Sequence, residues 1–232
     1  MVSITQEALL SALIVLVVAS MPSVAWFFVI RKRMLKQQSN FIKDLESLVK
    51  PRDQRYYLHG YLVGFTAEYW VNRGPVKKVY VTYTTPPYYA FFYLPIIALF
   101  RKRERLEVAV ELRESLGVKG EAHIYDSSRF DVKRLVANDV KRSPVRKKLS
   151  KTRLHSLRAE AYSTPEGEAL DLASRIWQSL SQVGRVFRVS VVPGRRLILA
   201  LASPRPGMHI AVVERVLEAV EHARSRVEEA RG

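Results

Sequence analysis

The sequence of residues 8–30 is ALLSALIVLVVASMPSVAWFFVI, which contains no charged side chain. A helix crosses the hydrocarbon core of a bilayer, roughly 30 Å thick, with about 20 apolar residues, because each residue rises about 1.5 Å. The stretch is therefore long enough to span a membrane with some tilt. One alternative is a buried core helix, which 23 uncharged residues without a polar face disfavour in a chain of this length. The other is a cleaved signal peptide, but it needs a basic segment before a shorter apolar core. Residues 1–7 contain no lysine or arginine, so the sequence favours a retained transmembrane helix.

The orientation of this helix is predicted from the charges that follow it. Lysine and arginine beside a transmembrane helix favour the cytoplasmic side and contact lipid head groups there. The sequence therefore predicts a single-pass protein of the cell membrane, with a short extracytoplasmic tail at residues 1–7 and the C-terminal domain in the cytoplasm. The residues assigned to topology and head-group contact are Arg31, Lys32, Arg33 and Lys36.

The composition narrows the classes of partner and of chemistry. The chain of 232 residues contains 38 Lys and Arg against 22 Asp and Glu, which gives a formal net charge of +16. This charge favours lipid head groups, nucleic acid or acidic protein surfaces as partners. The absence of cysteine excludes disulfides, thiolate nucleophiles and metal sites with cysteine ligands. Abundant Val, Tyr, Arg and Glu are typical of a thermophile protein.

Residues 31–50 are predicted to continue as a juxtamembrane helix that ends before Pro51. A short parallel coiled coil in this segment would make the protein a homodimer. The alternative is a helix that lies on its own domain or on the membrane surface. Gln38 would be the polar position of the coiled-coil seam, and its apolar positions would be Leu35, Ile42, Leu45 and Val49.

The rest of the chain predicts an α+β fold in two modules. In residues 51–142, alternating apolar side chains predict an antiparallel sheet with a long strand at 57–71, a strand at 76–84, and a second hairpin formed by 106–113 and 121–125. Gly60 and Gly64 indicate bulges, strong twist or close backbone approach within the long strand. A capping box at Ser128 and Asp131 predicts a helix up to about Arg142. Its packed face would contain Phe130, Leu135, Val136 and Val140.

The second module is predicted to start after a basic linker at residues 143–156. Residues 157–232 show the pattern of a small βαββα two-layer unit. Its first helix begins near Pro165 and ends at Gly184, a hairpin crosses Pro193 and Gly194, and a long amphipathic helix starts at His209.

Residues 88–100, YYAFFYLPIIALF, allow two interpretations. The stretch is too short to span a bilayer, and Pro95 interrupts it. It is either a connection buried in the core or a loop that dips into the head-group region of the membrane. In the second case the interface residues are Phe91, Phe92, Ile96 and Ile97, followed by head-group contacts from Arg101, Lys102 and Arg103.

A second basic cluster, in residues 141–153, is a candidate surface for an anionic partner. Such a cluster can neutralise nucleic-acid phosphates, although the sequence contains no RRM, KH or zinc-finger pattern. Alternatively it is a solvated face, or it contacts anionic lipids of the nearby membrane. Its members are Lys141, Arg142, Arg146, Lys147, Lys148, Lys151 and Arg153.

No catalytic, cofactor-binding or metal-binding residue is assigned. The five histidines form neither HxH nor HExxH spacing, and the chain contains no Walker, GxGxxG or GxSxG motif. The sequence therefore favours a non-catalytic, membrane-anchored adaptor or assembly subunit that holds a protein partner at the membrane. The alternative is a membrane-tethered nucleic-acid-binding protein that uses the basic cluster.

Overall fold

A computed structural model of the protein describes residues 6–60, 62–100, 103–114, 117–157 and 159–229. Its α-helices are α1 (Gln6–Val49), α2 (Leu94–Leu99), α3 (Phe130–Arg142), α4 (Glu168–Val183) and α5 (His209–Glu229). Its strands are β1 (Asp53–Leu58), β2 (Gly64–Arg73), β3 (Val76–Thr84), β4 (Arg105–Leu112), β5 (Ala122–Tyr125), β6 (Ser150–Leu154), β7 (Ala159–Ser163), β8 (Gly184–Val192) and β9 (Leu197–Pro204).

The strands of the described residues form one antiparallel sheet in the order β1-β2-β3-β4-β9-β8-β5-β7-β6. The α+β class is confirmed, but the two predicted modules share this sheet because β4 pairs with β9. The predicted hairpin of β4 and β5 is wrong, since β5 lies between β7 and β8. The physical reason is that alternation identifies a strand and its buried face but not its neighbours.

The predicted long strand at residues 57–71 is instead two strands, β1 and β2, joined by a reversal between Leu58 and Gly64. The reversal occurs where Gly60 and Leu62 adopt positive φ angles of 66° and 59°. The close backbone approach predicted at Gly64 is confirmed, because a Cβ atom there would lie 1.9 Å from the carbonyl oxygen of Tyr83. A side chain at this position would therefore disrupt the pairing of β2 with β3.

Helices cover both faces of the sheet. On one face, α1, α4 and α5 enclose the main core, in which Leu45, Ile176 and Val216 are fully buried. On the other face, α3 covers Tyr125, Phe187 and Leu201. The helix, hairpin and long helix of the predicted βαββα unit are present as α4, β8–β9 and α5. They pack on a sheet that also includes the N-terminal strands.

The packed face of α3 agrees with the prediction at Val136 and Val140 and differs from it at Phe130 and Leu135. Val132 and Val136 are its buried residues, whereas Phe130 and Leu135 are 79% and 52% exposed. The predicted capping box does not form, because Ser128 donates its hydroxyl proton to Asp126 and α3 starts after Arg129. A helix that covers only part of one sheet face can leave apolar residues exposed along its sides.

The predicted linker at residues 143–156 contains β6, which pairs with β7 at one end of the strand order. Most of its side chains are exposed, as in SKTR of residues 150–153. An edge strand with polar side chains on both faces lacks the alternation that predicts strands, and basic side chains protect such an edge from pairing with other chains.

The C-terminal half of α1 belongs to the core of the sheet domain. The two interpretations of residues 31–50 are distinguished here, because Leu45 and Val49 face the domain's own sheet and not a coiled-coil partner. Leu35, the first position of the predicted seam, is 45% exposed. The buried stripe follows a spacing of four and three residues, which places one helix face on the sheet. Its members are Met34, Gln38, Phe41, Leu45 and Val49.

Candidate functional site

The N-terminal half of α1 is long and apolar enough to cross a membrane. An 18-residue window in this helix has a mean hydropathy of 2.5, and none of it is buried against the rest of the described chain. Leu16 and Met21, for example, are 70% and 67% exposed. A continuous apolar surface of this size is unfavourable in water and favourable in hydrocarbon.

The basic residues after the apolar run lie on α1 directly before and within the start of its buried stripe. Lys32, Arg33 and Lys36 are exposed, and Arg31 is partly buried. Because the helix is continuous here, these four residues have a fixed position along the axis of α1, between its apolar run and the part that packs on the sheet.

Residues 88–100 pack against α1 at the end of its apolar run. Trp26 donates a 2.8 Å hydrogen bond from Nε1 to the carbonyl oxygen of Tyr88. The ring centroid of Phe91 lies 6.0 Å from that of Trp26, and the rings of Phe27 and Tyr89 are 6.3 Å apart. The segment is therefore held beside the part of α1 that would lie at the membrane surface.

The outer side of this segment is apolar and exposed. Phe92, Leu99 and Phe100 are 68%, 77% and 67% exposed, and Ile96 is 38% exposed. Ile97 is the buried residue of α2, so the interpretation as a core connection applies to Ile97 and not to the outer residues. Of the predicted head-group contacts, Arg103 is exposed, while Arg101 and Lys102 lie outside the described residues.

The segment and α1 meet at one end of the sheet, which we call the anchor end. The ends of β3 and β9 and the starts of β4 and β8 lie there, as the pairings Thr84 with Arg105 and Gly184 with Pro204 show. The opposite, far end contains the β2–β3 and β8–β9 turns. Val49, at the end of α1, lines a cavity there together with Val71 of β2 and Val76 of β3.

Most of the basic cluster at residues 141–153 lies at the far end and not beside the apolar half of α1. The carbonyl oxygen of Arg142 accepts a 3.1 Å hydrogen bond from Nη2 of Arg195, which lies in the β8–β9 turn. Lys141 precedes this contact, and a 3-10 turn follows with Arg146, Lys147 and Lys148. Lys151 and Arg153 lie on the edge strand β6, where Lys151 pairs with Glu160 at 2.8 Å. Contact of the far-end part with lipids of the same membrane is therefore disfavoured.

Sequence reasoning missed a second group of basic residues at the far end. They surround a cavity of about 520 Å³ together with Trp70. Nζ of Lys78 lies 4.5 Å from the ring centroid of Trp70, on the adjacent strand. No local pattern reveals this group, because it combines four separate segments of the chain. Its members are Arg52, Lys77, Arg113 and Arg196.

A buried network joins Glu121, His123 and Ser190 inside the sheet domain. Nε2 of His123 lies 2.7 Å from Oε1 of Glu121, and Nδ1 lies 2.9 Å from Oγ of Ser190. A hydrogen-bonded chain of Glu, His and Ser side chains also occurs in the active sites of hydrolases. These three side chains are, however, 6%, 1% and 2% exposed, so a substrate cannot reach Oγ of Ser190 in this structure. We interpret the network as a structural one that satisfies buried polar groups.

The network predicts acid sensitivity. Burial alone would raise the pKa of Glu121, but hydrogen bonds from His123 and Ser143 and nearby positive charge outweigh it and hold this pKa below its usual range. A carboxyl group whose native pKa is lowered stabilises the fold above its unfolded pKa of about 4.3, and this stabilisation is lost as the pH falls through the native pKa. We expect Glu121→Gln to lower the melting temperature at pH 7 and to reduce the further loss between pH 5 and pH 3.

Thermal unfolding followed by circular dichroism at several pH values measures this difference. Glu214→Gln, on the exposed side of α5, is the control and should leave the pH dependence unchanged. Parallel decreases for the wild type and Glu121→Gln would contradict the assignment.

No protein-family model matches the chain, and no curated protein matches it in sequence.

Proposed function

We propose that this protein is a single-pass membrane protein whose cytoplasmic domain acts as a non-catalytic adaptor or assembly subunit. It holds a protein partner at a fixed distance from the membrane, with its own N-terminus outside. The observation that carries the proposal is the continuity of α1, which passes as one helix from an apolar half with an 18-residue window free of buried residues into the core of the sheet domain.

A rigid connection favours a positioning role over simple localisation. A flexible linker is sufficient to keep a domain near a membrane, and it allows the domain to rotate. Here Met34 and Leu45 fix α1 to the domain, and the bond from Trp26 to Tyr88 adds a contact nearer the apolar half. From Ile30 to Val49 the helix rises about 30 Å at 1.5 Å per residue, so the far end stands about that distance from the bilayer.

The charge of the far end indicates what kind of partner it meets. Lys147 and Lys148 project into solvent beside Arg142 and Arg195, and the second basic group surrounds the Trp70 cavity on the same end. A surface of one charge sign attracts a partner of the opposite sign and increases the rate of association. We therefore propose an acidic protein surface as the partner.

Nucleic acid is the second candidate for the same surface. Trp70 lies between two basic side chains, with Lys78 at 4.5 Å and the guanidinium carbon of Arg55 at 5.3 Å from its ring centroid. Aromatic and basic side chains together also bind single-stranded nucleic acid. The two candidates differ in salt dependence and in sensitivity to nuclease.

The test uses the full chain, extracted from its native membranes in mild detergent. We expect an acidic protein to co-purify, to survive nuclease treatment, and to be lost from a variant with Arg146, Lys147 and Lys148 replaced by Gln. The control replaces the exposed Lys43, Lys133 and Arg175 by Gln, which removes the same charge elsewhere. Loss of the bound material on nuclease treatment would favour nucleic acid. A C-terminal reporter located outside the cell, or no co-purifying molecule, would contradict the proposal.

A further inference from the structure

We propose that the anchor end contains a binding site for the phosphate group of an anionic phospholipid. Four arginines from three segments of the chain converge on one cavity of about 630 Å³ at this end of the sheet. This inference rests on the proposed insertion of α1 into a membrane, and it is independent of any protein partner. We call this cavity the arginine cleft, and its arginines are Arg103, Arg105, Arg129 and Arg185.

The fold brings these arginines together from three segments that are far apart in sequence. Arg103 precedes β4 and Arg105 begins it, Arg129 precedes α3, and Arg185 lies near the start of β8. The guanidinium carbons of Arg129 and Arg185 lie 5.1 Å and 5.6 Å from the ring centroid of Phe187. Stacking on the same ring orients both guanidinium groups and reduces the entropy that they lose when an anion binds.

The ion pairs within the cleft leave an excess of positive charge. Asp131 pairs with Arg105 at 3.1 Å and with Arg129 at 2.9 Å, and Asp126 pairs with Arg185 at 2.8 Å. Arg103 forms no ion pair with a carboxylate in the described part of the chain. Four guanidinium groups and two carboxylates leave a net charge of about +2 at neutral pH. The paired arginines are partly exposed, and exposed pairs contribute only about 0–1 kcal/mol, so a phosphate can compete with the carboxylates.

The surroundings of the cleft favour a lipid over a soluble phosphate. Phe100 lines the cleft and is 67% exposed, and Phe130, next to Arg129, is 79% exposed. Leu99, the neighbour of Phe100 in sequence, is 77% exposed. The acyl chains of a phospholipid can contact exposed aromatic side chains while its phosphate binds the arginines, whereas inorganic phosphate has no apolar part that could make the first contact.

Native mass spectrometry of the full chain in detergent tests the inference, with phosphatidylglycerol as the probe and phosphatidylcholine for comparison. We expect phosphatidylglycerol to bind more tightly than phosphatidylcholine. Arg103→Glu should weaken the binding of phosphatidylglycerol at least tenfold, because it reverses the charge of the arginine that has no carboxylate partner among the described residues. Lys147→Glu reverses an exposed charge at the far end and should bind as the wild type does. Both variants retain α1, so lipids that surround the membrane helix contribute equally.

A second variant, Arg185→Gln, removes one guanidinium group that lines the cleft. It should also weaken the binding of phosphatidylglycerol, and its melting temperature should stay close to that of the wild type. Equal binding by the wild type, Arg103→Glu and Arg185→Gln would overturn the inference. Displacement of phosphatidylglycerol by inorganic phosphate at a similar concentration would overturn the choice of lipid. Because the measurement uses purified protein, its result does not depend on whether a partner co-purifies.

Discussion

A chain that begins at Arg31 is expected to fold, and a chain that begins at Pro51 is expected to remain unfolded or to aggregate. The difference is the buried stripe of α1, in which Phe41 and Leu45 are 6% and 0% exposed. Burying one large apolar side chain contributes about 1.5–3 kcal/mol. Loss of several such side chains removes an amount similar to the whole stability of a domain, about 5–15 kcal/mol.

Two single substitutions in the chain that begins at Arg31 make this prediction quantitative. Leu45→Ala should lower the free energy of unfolding in urea by about 2–5 kcal/mol, as is usual for a large-to-small change in a core. Leu35→Ala is the matched control on the same helix, at a position that is 45% exposed, and should change it by about 0.5 kcal/mol or less. Similar effects of the two substitutions would show that α1 is not part of the core.

Replacing Phe92, Leu99 and Phe100 by Ser in the chain that begins at Arg31 should reduce its binding to vesicles containing phosphatidylglycerol by about 100-fold. Each of these side chains is more than 60% exposed beside the end of the apolar run. Partial transfer of three such side chains into the membrane interface contributes about 3 kcal/mol in total, which corresponds to about 100-fold in affinity. Co-sedimentation with vesicles measures the loss.

Two controls separate lipid contact from folding in this experiment. Leu135→Ser removes an apolar side chain that is 52% exposed on α3, and vesicle binding should not change. Ile97→Ser changes the buried residue of α2 and should lower the melting temperature. Vesicle binding by the triple variant at the wild-type level would refute the interfacial assignment of residues 88–100, as would unfolding of that variant.

The sequence predicted individual elements better than their arrangement. β3 and β4 follow clear alternation, β8 and β9 are runs rich in apolar residues on either side of Pro193 and Gly194, and α5 follows a clear helical pattern. The reversal between Leu58 and Gly64 was missed because apolar residues occur on both sides of it without a familiar turn motif. The continuous sheet was missed because the pairing of β4 with β9 joins residues about ninety positions apart, as for Val108 and Ala200.

The candidate sites show the same limit. The composition of residues 88–100 suits both a buried and an interfacial element, and the contact that holds the segment beside α1 joins Trp26 to Tyr88, 62 positions apart. The arginine cleft combines Arg103 with Arg129 and Arg185, which have no common motif. Only Arg103 and Arg105 belong to a visible basic run, so the other two become recognisable through tertiary structure alone.

The unbroken helix also makes the angular orientation of the domain depend on the residue count of α1. Consecutive residues in an α-helix are offset by about 100° around the axis, with 3.6 residues per turn. One extra residue between Phe27 and Met34 would therefore turn the sheet by more than a quarter circle relative to the apolar half of α1, and Trp26 would lose its alignment with Tyr88. Seven extra residues, close to two full turns, would restore the original heading within about 20° while raising the domain by about 10 Å. Azimuth and height are thus set by one number, the residue count between Phe27 and Met34.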